Sequence, residues 1–309
     1  MHTMEAALQP PQSHHAVEIT RDIVYGQARV GCADDAPGRL RALRLDRYAP
    51  ADAGDNAAPR PVVVLAFGGA FHRGSKEDDA FGSPGECNTA IADYCQMLAA
   101  RGVVACSIDY RLVQENPDPG HTRAVAEPQR IPRSRVDLVR RMLGLAPASD
   151  DMLWRGIEAA SDDLALAARY VLAHAQDWHV DPSRLVLGGF SAGARTALNA
   201  VFAERVPAAA VVSLSGYVDA ADQQRHLASR TQSPPVLLVS AENDLDYIVD
   251  HTPSMASVFR AHQVACETLK VPAAGHFYPH DAVAVRANGD TTTVLDGLLS
   301  FLQRTVGQL

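Results

Sequence analysis

The sequence predicts an α/β fold: a mostly parallel central sheet with helices on both faces. Three observations carry this. Apolar and β-branched runs such as Val62–Phe67, Arg184–Phe190 and Val236–Ala241 alternate with segments of helical period. Those runs are apolar at nearly every position, which suits strands buried on both sides by crossover helices. The chain has 309 residues, 47 % hydrophobic and 21 % charged, an ordinary globular composition. A core of that size needs no disulfide or structural metal.

In chain order, Val17–Tyr25 and Leu40–Tyr48 read as an N-terminal antiparallel pair, with turn formers at Ala33–Gly38. Ala49–Pro61, rich in Ala, Pro, Asp and Gly, reads as a loop before the strand Val62–Phe67. A helix near Asn88–Arg101, a strand at Val103–Asp109 and a long helix near Leu153–Trp178 follow. The strand Arg184–Phe190 feeds a helix starting at Ala192. Strands at Ala208–Leu214, Val236–Ala241 and Cys266–Val271 and a last helix at Thr291–Val306 complete the series. Residues 17–309 therefore read as one domain. The segment 1–16, with Pro10, Pro11 and Gln12 beside His14 and His15, reads as a disordered leader and not a metal site.

Lys and Arg number 28 against 36 Asp and Glu, a formal charge of −8. Such a field repels polyanions, so neither nucleic acid nor an anionic membrane is an expected partner. No stretch reaches the roughly 18 apolar residues of a membrane span, and the N-terminus lacks a basic segment followed by an apolar one. Five cysteines, an odd number without C-x-x-C spacing, suggest reduced thiols and a cytoplasmic location. A homodimer is left open.

About residues 111–153 the rhythm breaks. The interval is rich in proline and arginine and shows no clean strand, and so long a loop in a compact domain usually serves a site, for example as a lid. His121–Arg141 carries six arginines (Arg123, Arg130, Arg133, Arg135, Arg140, Arg141) against Glu127 and Asp137, a local excess of four positive charges. This reads as a solvated surface insertion, or as a basic lid that attracts an acyl substrate bearing a carboxylate.

Gly189-Phe190-Ser191-Ala192-Gly193 directly follows the apolar run Leu185–Leu187. This is the G-x-S-x-G pattern in its required setting of strand, sharp turn and helix. Small flanking residues permit a strained turn that lifts the serine hydroxyl clear of the sheet. The helix beginning at Ala192 points its positive end at a developing oxyanion.

The segment Phe67-Gly68-Gly69-Ala70-Phe71-His72-Arg73-Gly74-Ser75-Lys76 resembles the H-G-G-G-[WF]-x-x-G-[SD]-K oxyanion loop of α/β-hydrolase carboxylesterases. The resemblance extends to the hormone-sensitive-lipase-like group and to the feruloyl-esterase-like and arylformamidase-like group. It spans about residues 17–306 and implies the α/β-hydrolase fold. It also implies an oxyanion hole from the N–H groups of Gly69, Ala70 and Ala192. Two positions depart from the pattern: Phe67 replaces a largely structural histidine, and Ala70 replaces the third glycine, so its methyl narrows the hole.

In that family the order is serine, acid, histidine. The strand Val236–Ala241 runs into Glu242-Asn243-Asp244, similar to the family's strand and G-x-x-D element, so Asp244 is the expected acid. Asp246 is the fallback and Glu242 a weaker choice. Ala274-Gly275-His276-Phe277-Tyr278 resembles the family's G-H-F loop and makes His276 the expected base, with His280 and His251 as competitors. Asp109-Tyr110-Arg111-Leu112 resembles the structural D-Y-R-L element, and Asp162 and Asp163 fall where the family keeps a core acid. Candidate substrate contacts are Phe71, His72, Phe190, Arg195 and Trp154. Arg195, one turn into the serine helix, either pairs with an acid beneath the site or reaches an anionic substrate.

The expected chemistry is hydrolysis of a small-molecule ester, which could be anionic, through an acyl-enzyme, with no metal or organic cofactor. Two alternatives stand beside it: an amide-cleaving arylformamidase or small peptidase, and a non-catalytic binding protein on the same fold.

Overall fold

The computed structural model describes residues 14–32, 36–51, 58–82, 86–228, 230 and 232–309. The leader expected at 1–16 lies outside these up to residue 13, as do residues 33–35 of the expected turn and 52–57 of the expected loop. Of the leader's described part, His15 donates its backbone N–H to the Ala100 carbonyl at 2.8 Å.

Strands β1 (Val17–Val30), β2 (Arg39–Pro50), β3 (Arg60–Ala66), β4 (Val104–Ile108) and β5 (Val180–Phe190) make one half of the sheet. Strands β6 (Ala210–Leu214), β7 (Val236–Asn243), β8 (Cys266–Gly275), β9 (Val283–Arg286) and β10 (Thr291–Thr293) make the other. Among the described residues they form a single sheet in the order β1-β2-β4-β3-β5-β6-β7-β8-β9-β10. Pairing is parallel from β4 to β8 and antiparallel at both edges. Every residue of β4 and β6 is buried, as is all of β3 after Arg60. Successive strand side chains point to opposite faces, so both faces are covered. The helices α1 (Ile91–Ala99), α2 (Ser134–Met142), α3 (Asp150–Ala173), α4 (Ala192–Phe202), α5 (Ala220–Leu227), α6 (Asp246–Ala261) and α7 (Val294–Val306) accompany the strands. None of them is long and apolar enough to cross a membrane.

The order reverses at β3, which has β4 on one side and β5 on the other. At such a switch point the carboxyl ends of two neighbouring strands diverge and open a crevice. Beneath it, Arg111 is fully buried against Asp163, with Nη2 2.8 Å from Oδ1, and it also donates to the carbonyls of Asp118 and Ala159.

Several expectations need correction. The interval 111–153 is not structureless: it holds α2 and two short 3-10 turns at Val113–Glu115 and Pro128–Arg130. Its last residues already belong to α3, which starts at Asp150 because the Ser149 side chain accepts from the N–H of Met152. Helices α5 and α6 were not foreseen; in α6, Pro253 masks the helical period. The last helix begins at Val294, not Thr291, because Thr291–Thr293 pairs with β9 and Thr293 then caps α7.

Candidate active site

The crevice holds Ser191. Strand β5 ends at Phe190, and Ser191 turns the chain into α4 with φ 52° and ψ −113°, a strained conformation for a residue with a Cβ. Its N–H donates to the Leu214 carbonyl at 2.7 Å, which pins the turn to β6. A Cβ at Gly189 or Gly193 would run into the Ala66 carbonyl, so only glycine allows the elbow to lie this close to β3.

Two further turns at carboxyl ends of strands bring the partners. Asp244 follows β7 and His276 follows β8. Nε2 of His276 lies 2.9 Å from Oγ of Ser191, and Nδ1 lies 2.5 Å from Oδ1 of Asp244. An ionised carboxylate only accepts, so Nδ1 carries the proton and Nε2 is left free to take one from the serine. Asp244 also accepts from the N–H groups of Leu245 (2.8 Å) and Ala241 (3.1 Å) and from the Ser215 hydroxyl (2.5 Å). Ser215 gives its one proton to the carboxylate, so the Tyr278 hydroxyl, 3.0 Å away, donates to Ser215. Burial pushes the Asp244 carboxyl up. The hydrogen bond and charge of His276, with Ser215 and the Ala241 N–H, outweigh that and hold it below the usual carboxylate value.

The competing candidates are engaged elsewhere. Asp246 starts α6, Glu242 accepts from the Ala273 N–H at 2.9 Å, and the ring of His280 meets Thr89 at 3.1 Å. The ring of His251 packs beside Tyr217, 5.2 Å between centroids.

Strand β3 leads into the glycine loop, where Gly69, Ala70 and Phe71 take φ of 109°, 57° and 62°. Asp79, buried, ties that loop down: its carboxylate accepts from the Gly68 N–H at 2.8 Å and the Ile91 N–H at 2.7 Å. Burial pushes its carboxyl up to about 6, against the pull of those two N–H groups. Phe67, in place of a histidine, stacks on Tyr110 with centroids 4.1 Å apart, and the Tyr110 hydroxyl donates to the Phe67 carbonyl at 2.9 Å.

Ser191 opens into a small cleft. Of the residues read as candidates, Ala70, Phe71, Ala192 and Arg195 line it with Ser191. Ile131, Pro132, Arg135 and Val136 of the insertion line it too, so the insertion covers the serine. The other candidates lie apart from this lining. His72 is buried beneath the loop, and the Phe190 ring packs behind His276 at 5.2 Å between centroids. Trp154 is half-buried on α3. Gly69 precedes Ala70 in the loop and does not itself line the cleft. Sequence reasoning missed Asp79, Ser215, Tyr217, Tyr247 and Tyr278. The segment Ser213-Leu214-Ser215-Gly216, closing the run Ala208–Leu214, was the available signal for Ser215.

Most of the basic insertion is spent on the fold. Arg130 pairs with Asp219 at 3.1 Å and Arg133 with Asp150 at 2.6 Å. Arg123 donates to the carbonyls of Val125 and Ala126, and Arg140 donates to the Ala146 carbonyl and to His72.

Fold and site together define a serine hydrolase with the α/β-hydrolase fold. The family model of phospholipases and carboxylesterases matches residues 152–284, which contain Ser191, Asp244 and His276. No curated protein matches the chain in sequence. Among solved structures, esterase 2 of Thermogutta terrifontis phosphorylated by paraoxon is similar at 18 % identity and TM-score 0.58, over 99 % of each chain. The same esterase phosphoramylated by tabun gives 18 % and 0.57, over 98 % of this chain and 99 % of that one. Its propionate-bound form gives 19 % and 0.50, over 86 % of each. At these identities the likeness is one of fold.

Proposed function

We propose that the protein hydrolyses carboxylic esters of small molecules through an acyl-enzyme on Ser191. The observation that carries this reading is the double hydrogen bond of His276, to Ser191 on one side and Asp244 on the other, at a strained strand-to-helix turn. His276 takes the proton from Ser191 as its oxygen attacks the ester carbonyl, and Asp244 stabilises the imidazolium. The oxyanion sits among the N–H groups of Gly69, Ala70 and Ala192, each worth about 3 kcal/mol. His276 then passes its proton to the departing alkoxide. Water attacks the acyl-enzyme by the same route and frees the acid.

The glycine loop of Phe67–Lys76 supports the narrower reading of a hormone-sensitive-lipase-like or feruloyl-esterase-like and arylformamidase-like hydrolase. The scattered cysteines support a cytoplasmic location.

A fluorophosphonate probe tests the reading. It is expected to label Ser191, and the protein is expected to turn over 4-nitrophenyl butyrate, with Ser191→Ala at least about a thousandfold slower. Turnover by that variant at the wild-type rate sinks the serine mechanism. Labelling without turnover of esters, but with cleavage of N-formyl-kynurenine or peptides, moves the assignment to amide hydrolysis.

A further inference from the structure

We propose that Arg195, with Arg135 of α2, forms an anion subsite in the acyl half of the cleft, and that the preferred substrates are monoesters of short dicarboxylic acids. This rests on the ester-hydrolase reading above.

Arg195 sits one turn after the nucleophile, its N–H donating to the Ser191 carbonyl at 3.1 Å. It is 6 % exposed and lines the same cleft as Ser191. Among the described residues its guanidinium has no ion pair and no hydrogen-bond acceptor, and its Nε is buried without a partner. The ring of Tyr217 lies beside it, 5.6 Å from guanidinium carbon to centroid. A buried charge left so is costly unless something pairs with it.

The acids around it are committed. Glu158 spends both oxygens on the N–H groups of Ala124 and Val125, at 2.7 and 2.8 Å. Asp222 accepts from the Ala126 N–H at 2.9 Å and from Arg225 at 3.1 Å. Both favour the Arg195 charge from a distance without touching it, and burial still pushes the guanidinium down. A second cation faces the same space. Arg135, half-buried, packs over the Phe277 ring at 4.9 Å and has no carboxylate partner among the described residues. Two arginines on one small, otherwise largely apolar cleft call for an anion from outside the chain.

The position of His276 decides which half of the ester carries that anion. His276 must reach the leaving oxygen, so the alcohol lies on its side. There it lines an outer groove with Arg73, Phe81 and Phe277, and Arg135 borders both this groove and the cleft of Ser191. The cleft with Arg195 contains Ser191, Ala192 and Ala70 but not His276, so it receives the acyl chain. Ser191 and Arg195 stand one helical turn apart and line one small cleft, so the acids in question are short, of succinyl or glutaryl length.

The test compares monoethyl succinate with ethyl 4-methylpentanoate, whose terminal isopropyl group replaces the carboxylate. Proton release at constant pH follows both. Wild type is expected to prefer the hemiester in kcat/KM, and Arg195→Met to cut that preference at least about tenfold, as loss of a charge-assisted contact should. Arg195→Lys keeps part of it, and Arg135→Gln raises KM for the hemiester more than for the neutral ester. An unchanged preference in Arg195→Met, or a wild-type preference for the neutral ester, overturns the inference. Glutarate supplies a readout independent of turnover: it is expected to raise the melting temperature of wild type and not of Arg195→Met. Stabilisation by glutarate without ester turnover keeps the subsite and removes the esterase reading; ester turnover with neither preference nor stabilisation does the reverse.

Discussion

Arg140 donates from Nη1 to Nε2 of His72, 2.9 Å away, and so ties the insertion to the loop that faces Ser191. Because the guanidinium only donates, Nε2 accepts, and Nδ1 carries the proton that goes to the Ala70 carbonyl at 2.7 Å. Burial pushes the His72 imidazolium down; the Ala70 carbonyl opposes this and the Arg140 charge adds to it, and the ring is neutral. Arg140→Met should loosen α2 and the loop together. We expect a loss of about 1–3 kcal/mol of stability by denaturant titration. A roughly tenfold fall in kcat, measured well below the new melting point, should accompany it. A kcat equal to wild type would mean that the loop keeps its shape without the insertion.

Ser215 supports Asp244 from the side away from His276. Ser215→Ala removes the donor to Oδ2 while leaving the N–H groups of Ala241 and Leu245 in place. The expected result is a kcat about tenfold lower with KM changed far less, because the contact acts on the imidazolium of the transition state. Asp244→Asn, which forces the wrong tautomer on His276, should cost about ten-thousandfold. Equal losses in the two variants would contradict this ordering.

Asp79 gives a pH signature. Its carboxyl rises from 3.8 to about 6 in the fold, mainly through burial. Between those values the folded state holds a proton that the unfolded chain has released, so the stability this group adds at low pH is lost as pH climbs through the interval. The loss amounts to about 3 kcal/mol at most. Thermal melts of wild type and Asp79→Asn from pH 4 to 7 should therefore show the wild-type advantage shrinking as pH rises. A gap that widens would refute the assigned direction. The same variant should also lower kcat, since Gly68 loses a charged acceptor.

Gly193→Ala tests the packing of the elbow. The added methyl meets the backbone carbonyl of Ala66, which cannot move without breaking the β3–β5 ladder. A destabilisation above about 3 kcal/mol or failure to fold is expected. A well-folded, fully active variant would show that the elbow has room.

The residues around Ser191 were legible where a strand announces them. Ser191, Asp244 and His276 stand one, three and five residues past the strand runs that end at Phe190, Ala241 and Val271, and that position distinguishes them from other serines, acids and histidines. Helix α2 was hidden because Ser134–Met142 buries only Val136, Val139 and Arg140, too little for an apolar stripe in an arginine-rich stretch. Strand β10 is three threonines long, below what periodicity can resolve. Asp79 carries no pattern and Ser215 only a place at the end of a strand: their importance lies in which N–H or carboxylate each one meets, and that depends on contacts between distant segments. Arg195 was visible as an oddity, a charge on a buried helix, but only the structure shows that no acid among the described residues pairs with it.

Ala66 and Gly189 are cross-strand neighbours, and one residue pair further the two chains part, one into the glycine loop and one into the elbow. The gap between the attacking oxygen and the groups that receive its charge is thereby inherited from the spacing of two hydrogen-bonded strands, about 4.8 Å and as stiff as the sheet itself. The insertion shapes what reaches the serine and leans on the glycine loop through Arg140, while the spacing that the chemistry needs is held by the sheet beneath it.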